Sequence, residues 1–162
     1  AFDKGMLDFF NTWKFKHPDA NDFIRVMETT SAMELDWYKD YWIYTTKTID
    51  YTIDTVVGNL NETIVLLRRD AKMPMPIDVV IEIKDSTMIN YTIPLDIMRG
   101  FKMETPVDGP PYKVLTDWDW VNPYYRIDLP YSVDDIKSIV IDPTRRMVDT
   151  YRTDNAWPIS KE

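Results

Sequence analysis

The supply of histidine and cysteine limits the chemistry that this chain can perform. It has one histidine, His17, and no cysteine. A catalytic zinc ion takes three protein ligands, drawn mainly from His, Cys and Asp or Glu, and a Ser-His-Asp relay needs an imidazole to carry the proton. His17 precedes Pro18 between two helical patterns, which predicts a capping or surface role for it. The sequence therefore predicts no catalytic residue, no cofactor-binding residue and no metal ligand.

The most distinctive potential binding residues are aromatic rings in and just after a Pro- and Trp-rich stretch, residues 103–123. Flat rings beside carboxylates are typical of surfaces that bind a sugar face or a peptide. The predicted ligand platform consists of Trp118, Trp120, Tyr124 and Tyr125. The sequence nevertheless favours the interpretation in which Trp118 or Trp120 closes an open end of the sandwich while Asp117 and Asp119 stay in solvent. Glycoside hydrolysis by these two acids is disfavoured because nothing upstream resembles a sugar cleft.

Composition and charge exclude several classes of partner. The 162 residues carry a formal net charge of −8, whereas nucleic-acid binding depends on Lys and Arg that neutralise phosphates. No Gly-rich phosphate loop occurs, and the chain has only 4 glycines, which disfavours nucleotide chemistry. The apolar runs are too short to cross a bilayer, and the start lacks the apolar core of a signal peptide. We therefore expect no nucleic-acid partner and no membrane span.

The residues up to about Lys47 have a helical pattern. Their apolar side chains recur at intervals of three and four, as on one face of a helix. The first stripe consists of Phe2, Met6, Phe9 and Trp13. Pro18 ends this helix, Asp19 is the predicted N-cap of a second helix, and a short third helix is predicted over about 35–43. Residues 1–47 are therefore expected to form a helical segment of about three helices.

After Lys47 the apolar period becomes two, which is typical of half-buried strands. Strands are predicted over 49–54, 62–69, 77–83, 88–95, 124–129, 137–141 and 147–151. Short strands with turn signals and no intervening helix favour an antiparallel sandwich over a parallel sheet. The predicted fold class is therefore α+β: a helical segment followed by an antiparallel immunoglobulin-like β-sandwich over 48–162.

Several segments, spread over nearly the whole chain, resemble one protein family. In the helical part they are Trp13-Lys14-Phe15-Lys16-His17-Pro18, Asp22-Phe23, Met27-Glu28, Leu35-Asp36-Trp37 and Trp42-Ile43-Tyr44-Thr45-Thr46. In the strand part they are Met73-Pro74-Met75-Pro76-Ile77-Asp78-Val79 and Ile139-Val140-Ile141-Asp142-Pro143, followed by Asp149 and Asn155. Together they resemble the C-terminal region of the aminopeptidase N-type (gluzincin) zinc metallopeptidases. Each segment is a packing signature rather than a catalytic motif.

This resemblance implies a supporting role. In that family an H-E-x-x-H helix and a downstream Glu hold zinc, and a G-x-M-E-N strand takes the amino terminus of the substrate; this chain has neither motif. It would be a non-catalytic C-terminal fragment: 1–47 the helical end of a thermolysin-like catalytic domain, and 48–162 a β-sandwich. The implied partners are the upstream catalytic domain of the same polypeptide and, in the intact enzyme, a peptide substrate. The implied zinc belongs to that parent enzyme.

One alternative function is left open by the residues themselves. The chain could be a free-standing immunoglobulin-like binding module that uses the aromatic platform for a carbohydrate or a peptide. The helical stripe at the start favours the fragment, because its aromatic residues require more packing partners than the short helical segment offers.

Overall fold

A computed structural model of the chain describes residues 1–101 and 110–159. Its helices are α1 (Phe2–Trp13), α2 (Ala20–Ser31) and α3 (Asp36–Tyr44). Its strands are β1 (Tyr51–Gly58), β2 (Thr63–Arg69), β3 (Ile77–Ile83), β4 (Met88–Ile93), β5 (Lys113–Val114), β6 (Tyr124–Leu129), β7 (Ile136–Ile141) and β8 (Ala156–Trp157). Short 3-10 turns occupy Asp96–Met98, Val133–Asp135 and Arg152–Asp154. In the part described, no helix is long and apolar enough to span a membrane.

The chain divides into two compact units. The helical unit contains Ala1–Thr46 and, from later in the sequence, Asp96–Phe101. The strand unit contains Lys47–Leu95 and the described residues that follow Phe101. The return of Asp96–Phe101 to the helices was not predicted, since nothing in the apolar periodicity distinguishes this segment from a loop.

Helices α1 and α2 pack face to face in the helical unit. The rings of Phe9 and Phe23 meet edge to face, with their centroids 5.1 Å apart. One turn earlier, Gly5 allows a close approach, since a Cβ atom at this position would collide with the sulfur of Met27. Met27 is 7% exposed. Small and large residues therefore alternate along this contact, as interdigitated helix packing requires.

Helix α2 begins at the predicted residue. The Asp19 carboxylate accepts hydrogen bonds from the backbone N–H groups of Asn21 and Asp22, at 2.8 and 3.0 Å, and the Asp22 carboxylate accepts one from the Asp19 N–H at 3.0 Å. This reciprocal capping box satisfies donors that the first helical turn leaves free. The backbone bonds also lower the pKa of Asp19. At its other end, α2 stops where Ala32 adopts a left-handed conformation, with φ of 56°.

The segment Asp96–Phe101 closes the helical unit beside the connection between α2 and α3. The backbone carbonyl of Met98 accepts a hydrogen bond from the Glu34 N–H at 2.8 Å, and the Met98 side chain is 5% exposed. Gly100 lies so near this connection that a Cβ atom would come within 3.0 Å of the Ala32 carbonyl oxygen. The first turn of α3 places Trp37 in the same core, and its indole N–H donates to the Glu34 carbonyl at 2.9 Å.

The strand unit contains two sheets. The first has the order β1-β2-β6 and the second has the order β5-β4-β3-β7-β8. Side chains alternate between buried and half-buried along β2 and β3, which follows from the two-residue period of a strand. Each sheet keeps open edges, because β1, β6, β5 and β8 pair on one side only within the described residues.

The sheets confirm the coarse prediction of an α+β chain with helices first and antiparallel strands after them, and they differ from it in detail. The pairing of β5 with β4 is parallel, as are two isolated bridges, Ile49 with Asp149 and Leu95 with Trp118. Residues 147–151 were predicted as a strand but form only the Asp149 bridge. The period of two wrongly predicted a strand over 147–151. In this segment the Asp149 carboxylate instead accepts the N–H groups of Tyr51 and Tyr151, at 3.0 and 2.9 Å.

Tyr51 is the most enclosed large side chain of the strand unit, with 0% exposure. Its hydroxyl donates to the Met75 carbonyl at 2.9 Å and accepts from the Met75 N–H at 2.8 Å. The Tyr51 hydroxyl therefore bonds the backbone N–H and carbonyl of Met75, which a neighbouring strand would otherwise bond. Met75 lies between Pro74 and Pro76. Burial raises the pKa of Tyr51 to about 12.

Removal of the Asp19 carboxylate should destabilise α2. We expect Asp19→Ala to lower the free energy of unfolding, because the capping bonds are lost. Asp19→Asn keeps an acceptor oxygen and should cost much less. Urea unfolding of both variants checks this, and an equal loss in the two would contradict the capping role.

Removal of the Tyr51 hydroxyl should leave both polar backbone groups of Met75 without partners. Tyr51→Phe is expected to cost about 1–3 kcal/mol at neutral pH. The raised pKa means that this contribution is complete below the unfolded value of 10.0 and is lost as the pH rises through about 12. The stability gap between wild type and variant should therefore narrow above pH 10.

Urea titrations of wild type and Tyr51→Phe at a series of alkaline pH values provide the measurement. Tyr124→Phe is the matched control, since Tyr124 is 45% exposed and its ring lies outside the core. A gap between wild type and Tyr51→Phe that stays constant up to pH 12 would show that the buried phenol does not control alkaline stability.

Candidate functional site

The four rings of the predicted platform differ in exposure, since Trp118 is buried, Tyr125 is half-buried, and Trp120 and Tyr124 are exposed. Trp118 is 2% exposed, and its indole N–H donates to the Asn122 carbonyl at 2.8 Å. Its ring lies between Tyr51 and Tyr125, at centroid distances of 5.4 and 5.1 Å. Tyr125 is held by its hydroxyl, which donates to the Thr116 carbonyl at 2.7 Å, and burial raises its pKa.

Trp120 and Tyr124 keep exposed ring surface. They are 38% and 45% exposed, respectively. The loop that carries Trp120 is fixed by Arg69, whose guanidinium donates to the Trp120 carbonyl at 2.5 Å. Asp117 and Asp119 are exposed, and Asp119 accepts the Val121 N–H at 3.2 Å. The earlier part of the predicted stretch, residues 103–109, lies outside the described residues.

His17 lies in the connection between α1 and α2, with an exposed side chain. The nearest arrangement to a metal site in the described residues is elsewhere, in the three carboxylates of Glu28, Glu34 and Asp36, whose oxygens lie within 4.8 Å of one another. Two of them already have partners. Glu28 accepts the Leu35 N–H at 2.8 Å, and Asp36 accepts from Lys39 at 2.7 Å. These acids therefore serve as a cap and an ion pair at the start of α3.

A second group of carboxylates surrounds Thr52 in the strand unit. The Thr52 hydroxyl lies 2.9 Å from an oxygen of Asp70 and 2.8 Å from an oxygen of Asp154. One oxygen of Asp50 and the other oxygen of Asp154 are buried without a hydrogen-bond partner in the described residues. Burial raises the pKa of Asp50, and the negative charges of Asp149, Asp154 and Asp70 raise it further. Like charges are therefore concentrated where β1 meets the 149–154 segment.

A cleft of about 800 Å³ opens beside β7 and β8. Its floor is a tight loop in which Asp142, with φ of 45°, accepts the N–H groups of Arg146 and Met147 at 3.0 and 2.9 Å. Arg152 also stabilises the loop, since its guanidinium donates to the Asp142 carboxylate at 3.2 Å and to the Met147 carbonyl at 2.9 Å. Sequence reasoning singled out this segment only as a packing signature.

Asn155 lines this cleft, and its buried side-chain amide lacks hydrogen-bond partners in the described residues. It is 3% exposed, and neither atom of its side-chain amide has a hydrogen-bond partner among the described residues. Its own backbone is fully engaged, since its N–H donates to Arg152 and its carbonyl accepts from Ile141. An Asn in a loop is an ordinary turn residue in a sequence pattern, so the sequence marked Asn155 only as part of the family resemblance and not as a binding residue.

The chain was compared with models of protein families, with curated proteins and with solved structures, and none of the three comparisons found a match.

The acidic group around Thr52 should make stability depend on pH. Since the folded pKa of Asp50 is raised above its ordinary value of 3.8, its contribution is complete below that value and is lost as the pH rises through the folded pKa. We therefore expect Asp50→Asn to be more stable than wild type at pH 7, with the difference vanishing below about pH 4.

Thermal unfolding of the two proteins between pH 3 and 8 measures this effect. Asp40→Asn, at an exposed position of α3, removes the same formal charge away from the acidic group and should leave the stability nearly unchanged. A variant Asp50→Asn that is less stable than wild type at pH 7 would show that the Asp50 charge is stabilised rather than strained.

Proposed function

We propose that this chain is a non-catalytic C-terminal segment of an aminopeptidase N-type zinc metallopeptidase, and that it supports and walls the peptide-substrate cleft of the intact enzyme. The observation that carries the proposal, beside the sequence resemblance, is the part of the apolar face of α1 that α2 leaves exposed.

Helix α1 has one broad apolar face, and its opposite side is polar. Part of the apolar face, with Gly5 and Phe9, meets α2. The remainder has three apolar residues spaced by four, Phe2, Met6 and Phe10, which are 67%, 41% and 63% exposed. An exposed apolar stripe of this kind marks an interface. We assign this interface to the upstream catalytic domain.

Helix α3 also exposes apolar side chains. Trp37 is buried, whereas Trp42, Ile43 and Tyr44 are 39%, 54% and 64% exposed. These residues belong to a segment that resembles the end of the catalytic region in the family. A helix end with three neighbouring exposed apolar side chains fits a position against further helices of a thermolysin-like domain.

The described residues of this chain do not fit a catalytic zinc ion. The one histidine is exposed in a connection, and of the three acids Glu28, Glu34 and Asp36, two serve as a cap and as an ion pair. When bound in the parent enzyme, zinc would supply an activated water for attack on the peptide carbonyl. The present segment contributes packing surface, and no catalytic step is assigned to its residues.

For the strand unit we infer an immunoglobulin-like β-sandwich. Strand β1 of the first sheet lies against β7 and β8 of the second, and the buried members of the alternating strands supply apolar side chains such as Val65, Leu67, Val79 and Ile81. Two sheets that bury one face each against the other form a sandwich core.

An alternative function is favoured by one observation, the exposed rings of Trp120 and Tyr124. They would allow a free-standing module to bind a carbohydrate or a peptide. Trp120→Ala should abolish such binding on a carbohydrate and peptide array, while Trp42→Ala, an equally exposed ring on α3, should not. Binding to that array by the isolated chain would favour this alternative over a supporting role.

We expect the isolated segment not to bind zinc with the affinity of a catalytic site. Calorimetric titration of the chain with zinc should show no one-to-one binding in the submicromolar range, and an aminoacyl chromogenic substrate should not be hydrolysed, because ligands for the ion are missing. In the full-length gene product, an H-E-x-x-H motif upstream of Ala1 and zinc-dependent hydrolysis are expected. Absence of that motif would refute the proposal.

The uncovered face of α1 predicts self-association of the isolated chain. Sedimentation velocity at rising concentration should show oligomers, and Phe10→Lys should shift the population toward monomer because it places a charge in the apolar stripe. Phe15→Lys is the matched control, since Phe15 is fully exposed in the connection after α1. A wild-type chain that stays monomeric at high concentration would contradict an interface on α1.

A further inference from the structure

The cleft beside β7 and β8 combines apolar walls with unpartnered polar groups. Its volume of about 800 Å³ lies in the range of small-molecule and short-peptide sites. Pro143, Tyr151 and Ile159 line it, and the last two are 59% and 63% exposed. A simple inorganic anion would leave these apolar surfaces uncovered, whereas a ligand with side chains would bury them.

The amide of Asn155 defines what such a ligand must offer. An Asn side chain carries two N–H donors and a carbonyl acceptor, so its natural complement is a peptide group, which has one donor and one acceptor. Both amide atoms lack partners in the described part of the chain and are closed to solvent. The side chain therefore has to turn toward a ligand, and this turn is favourable because a buried polar group without a hydrogen bond is costly.

The charge of the cleft comes from Arg145. Of the two arginines that line the cleft, Arg152 is neutralised by Asp142, with a guanidinium-to-carboxylate distance of 3.2 Å. The guanidinium of Arg145 is exposed and has no ion-pair or hydrogen-bond partner within residues 1–101 and 110–159. A free cation in a cleft of a chain with net charge −8 selects for an anion, and a carboxylate matches the fork of a guanidinium.

The loop that carries Arg145 is already fixed. Asp142 and Arg145 both adopt left-handed backbone conformations, with φ of 45° and 55°, and the Asp142 and Arg152 hydrogen bonds described above hold the loop closed. Because the loop backbone is fixed, only the Arg145 side chain has to be ordered when it pairs with a ligand.

We propose that this cleft binds a short peptide through its free C-terminal carboxylate, with Arg145 pairing to the carboxylate, Asn155 to a peptide group, and Tyr151 and Ile159 covering the side chains. The site is independent of the aminopeptidase assignment, since it lies wholly within the strand unit and needs no upstream domain.

The test uses the full chain and the probe acetyl-Ala-Ala-Leu with a free carboxylate, compared with the same peptide as its C-terminal amide. NMR titration should show binding of the acid, with a shift of the Asn155 side-chain NH₂ resonance, and an affinity about tenfold lower for the amide. Arg145→Ala should weaken binding of the acid to the level of the amide. Arg146→Ala, the neighbouring exposed arginine outside the cleft lining, should bind as wild type does.

Asn155→Leu separates a binding role from a structural one. Leu fills nearly the same volume without polar atoms, so the variant should melt at a higher temperature than wild type and bind the probe at least about tenfold more weakly. A lower melting temperature would show that the amide stabilises the fold and would overturn its assigned role.

Three further results would overturn the site. They are equal affinity for the acid and the amide, equal loss of binding in Arg145→Ala and Arg146→Ala, and inorganic phosphate binding as tightly as the peptide. The last result would define a general anion site. None of them bears on the zinc motif expected upstream, so failure of this site and failure of the aminopeptidase assignment can be told apart.

Discussion

The arrangement of the strand unit depends on the hydrogen bonds and the ring contact of one buried residue, Tyr51. Tyr51 begins β1, and its backbone N–H is bound by Asp149, its hydroxyl by both polar groups of Met75, and its ring by Trp118. Four distant parts of the sequence therefore meet at one residue. A phenol without solvent contact is tolerated only if its hydroxyl is fully hydrogen-bonded, so the positions of the segment before β3, of the Trp118 loop and of the Asp149 loop are mutually dependent.

The same requirement explains why the aromatic residues are so unequal in exposure. Trp118 is used to close the core beside Tyr51, whereas Trp120, two residues later, points its loop carbonyl at Arg69 and leaves its ring partly open. Trp118 forms a bridge with Leu95, whereas Trp120 lies in the turn that follows. Of the four predicted platform rings, Trp120 and Tyr124 accordingly keep the most exposed surface, and Trp118 and Tyr125 have a packing contact with each other instead.

Sequence pattern predicted what depends on local periodicity and chemistry. The N-cap Asp19, the switch to a period of two near Lys47, and the β3 and β7 strands all follow from neighbouring residues. The features that were missed depend on long-range partners. The short β5 and β8 strands have only two residues each, too few for a period to be visible, and the return of Asp96–Phe101 depends on contacts with Ala32 and Glu34. The cleft was missed because an unsatisfied Asn155 amide is a property of its surroundings.

The contribution of Asp96–Phe101 to the helical unit has a consequence for how the chain is made. Ribosomal synthesis releases α1, α2 and α3 first, but the Met98 side chain and carbonyl that complete their core follow only after β1 to β4 have emerged. The helical unit therefore lacks this part of its core until β1 to β4 have been synthesised. A gene cut after Thr46 would remove the last stabilising piece of the helical unit, so the boundary seen in the linear sequence is not the place at which this protein can be divided.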